Sequence, residues 1–168
     1  MSDSIKWLHI SDFHFLGKTE WRDVTARNSL LEYLRDLFEE DISLYPDFVF
    51  CTGDIAFGET SKCTLTEQYD MAIQFFDELL AVCKLDRERM FVVPGNHDVD
   101  RELINSDAQL TLNNFAKKSS ENSSLIEQRF NDKSKEFLET IKRLSAYSEF
   151  ISKYFPHLID SEGRQHYV

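Results

Sequence analysis

Cysteine, glycine and proline are scarce in this chain. There are three cysteines, five glycines and three prolines among 168 residues. Cys51, Cys63 and Cys83 form no CxxC pair and are odd in number, which argues against a disulfide framework or a thiolate zinc site. We therefore interpret the three thiols as small apolar side chains of a core.

Long apolar segments are also missing. No stretch approaches the roughly 20 apolar residues that a membrane-spanning helix requires. The N-terminus, residues 1–6, lacks the basic start and the apolar run of a signal peptide. These absences predict a cytoplasmic protein that does not associate with membranes.

Basic residues are outnumbered by acidic ones, and the imbalance lies in one half of the chain. The formal net charge is −11. Residues 1–98 hold 9 Lys and Arg against 19 Asp and Glu, a balance of −10, whereas residues 99–168 hold 10 against 11, a balance of −1. An acidic surface repels polyanions, so extended binding to nucleic acid is disfavoured.

What the chain does contain is a regular alternation of strand and helix patterns. Apolar residues make up 42% of the sequence, enough for a folded domain with a core. Strand patterns at 5–10, 48–51 and 90–93 alternate with two apolar stripes of helical spacing, which predicts an α/β core of βαβαβ order over residues 5–98. The stripes are Leu30, Leu31, Leu34, Leu37, Phe38 and Ile42 in the first helix, and Met71, Phe75, Phe76, Leu79 and Leu80 in the second. Thr64 and Glu67 have the spacing of a capping box and predict where the second helix begins.

Residues 99–168 have a different composition. Residues 105–135 are rich in Asn, Ser, Lys and Gln, and they predict a weakly packed helical excursion or a long loop. A later helix is predicted to end at Pro156, with an apolar face that must bury against the first half of the chain or against a partner. That face consists of Phe137, Ile141, Leu144, Ile151 and Phe155. We interpret residues 99–168 as a helical insertion or cap, with residues 163–168 leading toward another strand.

Polar motifs follow each of the three strand patterns. They are Asp12-Phe13-His14, Gly53-Asp54 and Gly95-Asn96-His97-Asp98. Singly, each is an ordinary turn or strand-end sequence. In open α/β sheets, however, functional groups gather at the carboxyl ends of strands, so three such motifs, one βα unit apart, predict a single site.

The residue types are those of half a site for two metal ions. At an extended strand end, Asp12 and His14 project to the same side and can hold one cation with an oxygen and a nitrogen. Asp54 can bridge two cations with its two carboxylate oxygens. Asn96 adds a neutral oxygen ligand to the second cation.

His97 and Asp98 are the candidate catalytic residues. In an extended chain His97 points away from Asn96 and toward the substrate, where it can protonate a leaving oxygen. Asp98 would orient its imidazole. Two adjacent cations can lower the pKa of a bridging water and clamp the oxygens of a phosphoryl displacement, so the predicted chemistry is hydrolysis of a phosphate ester.

Across residues 5–100 the three motifs resemble the first three motifs of the calcineurin-like metallophosphoesterases. The resemblance implies a sandwich of two mixed β-sheets flanked by helices, of which this chain forms the N-terminal portion. It implies two divalent metal ions, Mn, Fe or Zn, and the same ligand and acid roles that the residue types suggest. The substrate it implies is a phosphate ester such as a nucleotide.

Flanking residues favour one branch of that family. Protein Ser/Thr phosphatases continue the second motif with Val-Asp-Arg-Gly and end the third in Glu, whereas this chain has Ile55-Ala56-Phe57-Gly58 and Asp98. Residues 7–12 and 52–56 are similar to the bacterial branch that resembles cyclic-nucleotide phosphodiesterases, and less closely to DNA-repair nucleases. We therefore predict phosphodiester hydrolysis by a metal-activated hydroxide with His97 as general acid, with a nuclease as an alternative.

The later motifs of the family have no counterpart after Asp98. These motifs, a histidine and a Gly-His-x-His element, supply three further metal ligands. Downstream, the chain has only His157, for which a surface or packing role is a better interpretation than metal ligation, and His166. Either the chain belongs to a longer phosphoesterase with further C-terminal sequence or domains, which we favour, or it is a non-catalytic binding or scaffold module. Upstream, His9 is expected to be a hydrogen-bonded histidine of the core.

Overall fold

A parallel sheet with a helix in each crossover forms the centre of the molecule. The computed structural model describes residues 4–17, 21–103 and 141–161, together with 106, 109–110, 113–114, 124, 128, 132 and 138–139. Strands β1 (Trp7–Ile10), β2 (Phe48–Cys51) and β3 (Met90–Val92) pair in the order β1-β2-β3, all parallel. Helix α1 (Trp21–Glu40) lies between β1 and β2, and α2 (Leu65–Cys83) lies between β2 and β3. This is the βαβαβ order that the sequence predicts.

The register of the sheet brings the three strand ends to one edge. Ile10 pairs with Cys51, and Cys51 pairs with Val92. The ladder continues one step further, because Thr52 N donates to Ile10 O and Val93 N donates to Cys51 O, each at 3.0 Å. The loops that leave the three strands therefore begin side by side.

One face of the sheet packs against the helices and forms the core. The buried side chains of this core include Ile10, Val49, Cys51, Met90 and Val92 from the strands, Leu31, Leu34 and Phe38 from α1, and Phe75, Phe76, Leu79 and Leu80 from α2. The two predicted helical stripes are thus confirmed at most positions. Ile42 is the exception, because it falls in a 3-10 turn after α1 and is 77% exposed.

The opposite face of the sheet carries aromatic side chains that are only partly covered. Phe50 and Phe91 are half-buried and stack with their ring centroids 5.4 Å apart, while Trp7 is 62% exposed. Parallel sheets usually have both faces covered. The described residues contribute this one sheet, and the second sheet of a sandwich is not formed by them.

Helix α2 begins with the predicted capping box. Thr64 Oγ1 accepts a hydrogen bond from Glu67 N at 3.3 Å, and the Glu67 carboxylate accepts one from Thr64 N at 2.8 Å. These bonds satisfy two of the N–H groups that a helix start leaves without partners. The helix is therefore fixed at the end that lies next to the loop after β2.

A further helix, α3 (Ser145–Tyr154), packs on the first half of the chain. The Phe150 ring stacks on Tyr69 of α2 at 4.5 Å, and the Tyr147 hydroxyl donates to Val92 O at 3.1 Å. Of the two alternatives for the predicted apolar face, burial against the first half is confirmed for Ile151 and Phe155, whose side chains lie in the core. The prediction is wrong for Ile141, which is 38% exposed. Phe137, most of residues 105–135 and all of 163–168 lie outside the described residues.

The burial of the thiols agrees with the interpretation of the cysteines as apolar side chains. All three cysteines are free and buried. Burial raises the pKa of the Cys51 thiol to about 12 and that of Cys83 to about 11. No helix within the described part of the chain is both long and apolar enough to cross a bilayer.

The two histidines outside the motifs differ in their environment. His157 is partly buried with Nε2 3.0 Å from Met90 O, which confirms its packing role. His9 is hydrogen-bonded to Thr52 Oγ1 at 2.7 Å, as expected, but it is exposed. Its predicted place in the core is wrong because this position of β1 faces the side of the sheet away from the helices.

Candidate metal centre

The loops after β1 and β2 run alongside each other at the sheet edge. Asp12 N donates to Gly53 O at 3.1 Å, and His14 N donates to Asp54 O at 3.0 Å. Backbone hydrogen bonds therefore hold the first motif directly against the second and position the candidate ligands at the sheet edge.

The candidate ligands adopt a backbone conformation that is rare for residues with side chains. Asp12 has φ 60°, His14 has φ 49° and Asp54 has φ 51°, all in the left-handed region. Each such residue costs on the order of 1–3 kcal/mol, and such residues concentrate at functional sites. The extended chain predicted at Asp12 and His14 is wrong, because β1 ends at Ile10 and left-handed residues then set both side-chain directions.

Two glycines let the second and third loops approach closely. A Cβ at Gly95 would lie 2.1 Å from Asp54 Oδ1, and one at Gly53 would lie 2.7 Å from the Cα of Gly95. Gly53 also has φ 100°, which side chains rarely allow. Neither position can carry a side chain unless the loops move apart.

Three side chains from the three loops converge. One possible ligand atom each from His14, Asp54 and His97 lie within 4.8 Å of one another. The His14 and His97 rings meet edge to face with centroids 4.7 Å apart. His97, predicted as an acid beside the ligands, thus lies within the ligand cluster itself.

The other two predicted ligands lie at the margin of this cluster. Asp12 Oδ1 is 3.9 Å from His14 Nε2, and its side chain is mostly exposed. Asn96 is exposed in the third loop, where its backbone carbonyl accepts from Arg101 Nη2 at 3.4 Å. All four predicted ligands are therefore at the same edge of the sheet, but they are not equally buried.

The donor set fits a divalent metal ion. His14 Nδ1 is buried and has no hydrogen-bond partner among the described residues, a state that buried polar atoms rarely keep. Asp54 Oδ1 accepts from His97 N at 2.9 Å, which leaves most acceptor positions of the carboxylate available. Imidazole and carboxylate ligands suit Mn, Fe and Zn.

Asp98 is fully buried and its carboxylate joins the loops to α2. One oxygen, Oδ2, accepts from Gly95 N at 2.8 Å and Ile55 N at 3.2 Å. The other, Oδ1, accepts from Ala56 N at 2.8 Å and from the Tyr69 hydroxyl at 3.2 Å. Burial raises the pKa of Asp98, and the hydrogen bonds oppose the rise. Burial and the neighbouring carboxylate also raise the pKa of Tyr69, so its hydroxyl remains a donor.

The group that orients His97 differs from the expected one. His97 Nδ1 lies 2.7 Å from the backbone carbonyl of Phe57, and because a carbonyl only accepts, Nδ1 carries the proton. The expectation that Asp98 orients this imidazole is therefore corrected. The Asp98 side chain turns inward toward α2, where backbone amides and a tyrosine occupy both oxygens, while His97 turns toward the ligand cluster.

Sequence reasoning missed Gln68, which holds the loop after Asp54. Gln68 Oε1 accepts from Phe57 N at 2.8 Å and Gly58 N at 3.3 Å. Its Nε2 donates to Gly58 O at 2.7 Å and to Cys63 O at 2.9 Å. A signal was present, because Gln68 interrupts the apolar stripe of α2, and a fully buried glutamine is uncommon.

Comparison with known proteins agrees with the motifs. A family model for calcineurin-like phosphoesterases matches residues 5–159. A protein of Bacillus subtilis (strain 168), described as the uncharacterized metallophosphoesterase-like protein YydB, is 28% identical over 100 residues. The match covers 59% of this chain and 18% of the relative, so the chain spans much less than two thirds of that protein's length.

Proposed function

Because the chain belongs to the calcineurin-like phosphoesterase family, we propose that it hydrolyses phosphate esters at the edge where β1, β2 and β3 end. Membership of this family implies metal-dependent phosphoester hydrolysis. The observation that carries the proposal for this chain is the convergence of His14, Asp54 and His97 from three separate loops.

We assign two divalent ions to this site. Asp12, His14 and Asp54 would hold one ion, and Asp54 with Asn96 would hold the other. Asp54 suits the bridging role because it contacts both neighbouring loops, through His14 N on its carbonyl and His97 N on its carboxylate. When bound, Mn, Fe or Zn ions supply Lewis acidity, which lowers the pKa of water and offsets charge on the phosphoryl oxygens.

A side chain of this protein donates the proton that the leaving group requires. We assign the imidazolium form of His97, protonated on both nitrogens, as the general acid: as a hydroxide oxygen forms its bond to phosphorus and the ester P–O bond breaks, Nε2 gives its proton to the departing oxygen, and the neutral ring keeps its proton on Nδ1. With Nδ1 held by Phe57 O, Nε2 is the nitrogen free for this transfer. General acid catalysis contributes about 10²–10⁴-fold to a rate. Asp98 acts as a positioning residue that fixes the loop carrying His97.

The proposed substrate is a phosphodiester of modest size, such as a nucleotide. The motif-bearing half of the chain has a balance of −10, which disfavours long polyanions. The residues around the first two motifs are similar to those of phosphodiesterase-like family members, which supports a diester over a phosphoprotein.

The test is hydrolysis of bis(p-nitrophenyl) phosphate by the full-length protein loaded with Mn²⁺. We expect turnover by the wild type and its loss in Asp54→Asn, while His97→Ala lowers kcat by about 10²-fold, the low end of the range for general acid catalysis, because nitrophenolate leaves with little need of a proton. Asp77→Asn is the matched control, since Asp77 is an exposed α2 carboxylate paired with Arg87. We expect it to retain full activity.

Two results would change the proposal. Absence of turnover with Mn²⁺, Fe²⁺ and Zn²⁺ alike contradicts the hydrolase and favours a non-catalytic scaffold. Cleavage of single-stranded DNA, together with inertness toward cyclic nucleotides, favours the nuclease alternative.

A further inference from the structure

The loop segment that orients His97 is not held in place by its own side chain. Phe57 supplies the carbonyl that accepts from His97 Nδ1, yet the Phe57 ring is 43% exposed. The ring contacts the His97 and His14 rings, with centroids 5.6 Å and 6.2 Å apart, but it is not anchored in the core. The position of this carbonyl therefore depends on other contacts of the loop, one of which is the hydrogen bond that Phe57 N donates to Phe15 O at 3.2 Å.

Gln68 provides further contacts from inside the protein. Its side chain is fully buried, and both ends of its amide are used, Oε1 by two backbone N–H groups and Nε2 by two backbone carbonyls. The amide orientation is unambiguous because donors meet acceptors at all four contacts. A fully buried amide with four partners has no access to water that could replace it.

Gln68 and His97 hold opposite sides of one peptide group. The N–H of Gly58 and the carbonyl of Phe57 belong to the same peptide, and in a trans peptide these two groups point in opposite directions. The N–H faces Gln68 Oε1, and the carbonyl faces His97 Nδ1. Rotation of this peptide would break both hydrogen bonds together.

From this geometry we propose that Gln68 is a positioning residue for the reaction, acting through the Phe57–Gly58 peptide to fix the orientation and tautomer of His97. The inference rests on the proposed function of His97 as general acid. Asp98 cannot substitute for the peptide, because both of its carboxylate oxygens are engaged by backbone N–H groups.

The first test compares two diester substrates that differ in their need for an acid. In bis(p-nitrophenyl) phosphate the leaving group is a stabilised anion, whereas diphenyl phosphate releases phenol, whose pKa is about 10, like that of tyrosine. We expect Gln68→Met to lower kcat for diphenyl phosphate by about 10- to 100-fold, as loss of supporting hydrogen bonds typically does. The loss for the nitrophenyl ester should be several times smaller, with KM little changed for both.

The control variant separates positioning from general destabilisation. Leu79→Ala removes a fully buried side chain from the same helix, away from the loop. It should change kcat for the two substrates by the same factor. If Gln68→Met does not fold, Gln68→Asn carries the test with a smaller expected loss, because it keeps the amide but is one methylene short of the loop.

The second test does not depend on activity. We expect ¹⁵N shifts of the His97 imidazole to show one tautomer, protonated on Nδ1, in the wild type and a mixture in Gln68→Met. Equal loss on both substrates with unchanged ¹⁵N shifts would overturn the inference while leaving the proposed function intact. If the wild type hydrolyses neither ester, the proposed function fails, and the imidazole shifts still decide whether Gln68 orients His97.

Discussion

Replacing Asp98 by asparagine changes one atom of the carboxylate that joins the second and third loops. Asparagine keeps a carbonyl oxygen for Gly95 N and Ile55 N, on the side where Oδ2 now accepts. Its NH₂ group then faces Ala56 N and the Tyr69 hydroxyl. The hydroxyl can rotate and accept a hydrogen bond, but the Ala56 N–H cannot, so one buried backbone donor loses its partner.

The expected loss in the free energy of unfolding follows from the number of buried backbone N–H groups that lose their partner. One unpaired buried donor costs about 1–3 kcal/mol. The buried amide is neutral, so the variant avoids the desolvation cost of a buried charge, the effect that raises the pKa of Asp98. This gain partly offsets the unpaired donor, and we therefore expect Asp98→Asn to lower the free energy of unfolding by about 1–2 kcal/mol. Asp98→Ala leaves three N–H groups unpaired and should cost about 3–5 kcal/mol, a large part of the roughly 5–15 kcal/mol that stabilises a domain. Tyr69→Phe removes one hydroxyl donor, which is shared between the Asp98 carboxylate and the Asp98 backbone carbonyl, and should cost about 1 kcal/mol.

The assay is equilibrium unfolding in urea, followed by circular dichroism, with EDTA present so that metal binding does not contribute. Asp77→Asn serves as the control, because its exposed ion pair with Arg87 is worth about 0–1 kcal/mol. The reasoning is refuted if Asp98→Asn is as stable as the wild type, or if Tyr69→Phe is less stable than Asp98→Ala. Either result would mean that the carboxylate does not hold the loops together.

Further predictions concern a glycine of the site and the buried thiols. Gly95→Ala must displace the Asp54 carboxylate and should weaken Mn²⁺ binding by about 10-fold or more, as measured by calorimetric titration. Gly17→Ala is the control and should not weaken binding, because a Cβ at Gly17 would meet nothing within 4 Å. Equal Mn²⁺ affinities of the two variants would contradict the close approach of Gly95 to Asp54. At pH 8 Ellman's reagent should react with Cys51 and Cys83 only after unfolding, because the folded thiols have pKa values of about 12 and 11. Above pH 9 the unfolded thiols release protons that the folded ones keep, so stability should fall as the pH rises, by up to about 1.4 kcal/mol per pH unit for each thiol. Substitution of both cysteines by alanine should flatten this slope, and an unchanged slope would contradict the shifts.

The elements that the sequence predicted well are those that depend on local pattern. Apolar runs placed β2 at Phe48–Cys51, and the spacing of Thr64 and Glu67 placed the start of α2. The three motifs of the site could also be predicted, because the sequence shows both the strand ends and the polar residues that follow them. The left-handed backbone at Asp12 and His14 could not be predicted from the sequence, because neither residue is a glycine. This conformation depends on long-range backbone hydrogen bonds to the next loop.

The contacts around His97 show why the rest of the site could not be predicted. Its orienting partner is a backbone carbonyl, and every residue has one, so the identity of Phe57 carries no signal of that role. The side chain that holds this carbonyl, Gln68, lies on a helix whose pattern otherwise indicates only core packing. A side-chain carboxylate next to the histidine, Asp98, was the natural candidate, but its acceptor capacity is taken up by the loops. Orientation by a peptide group places the constraint on the buried amide of α2 that holds this peptide.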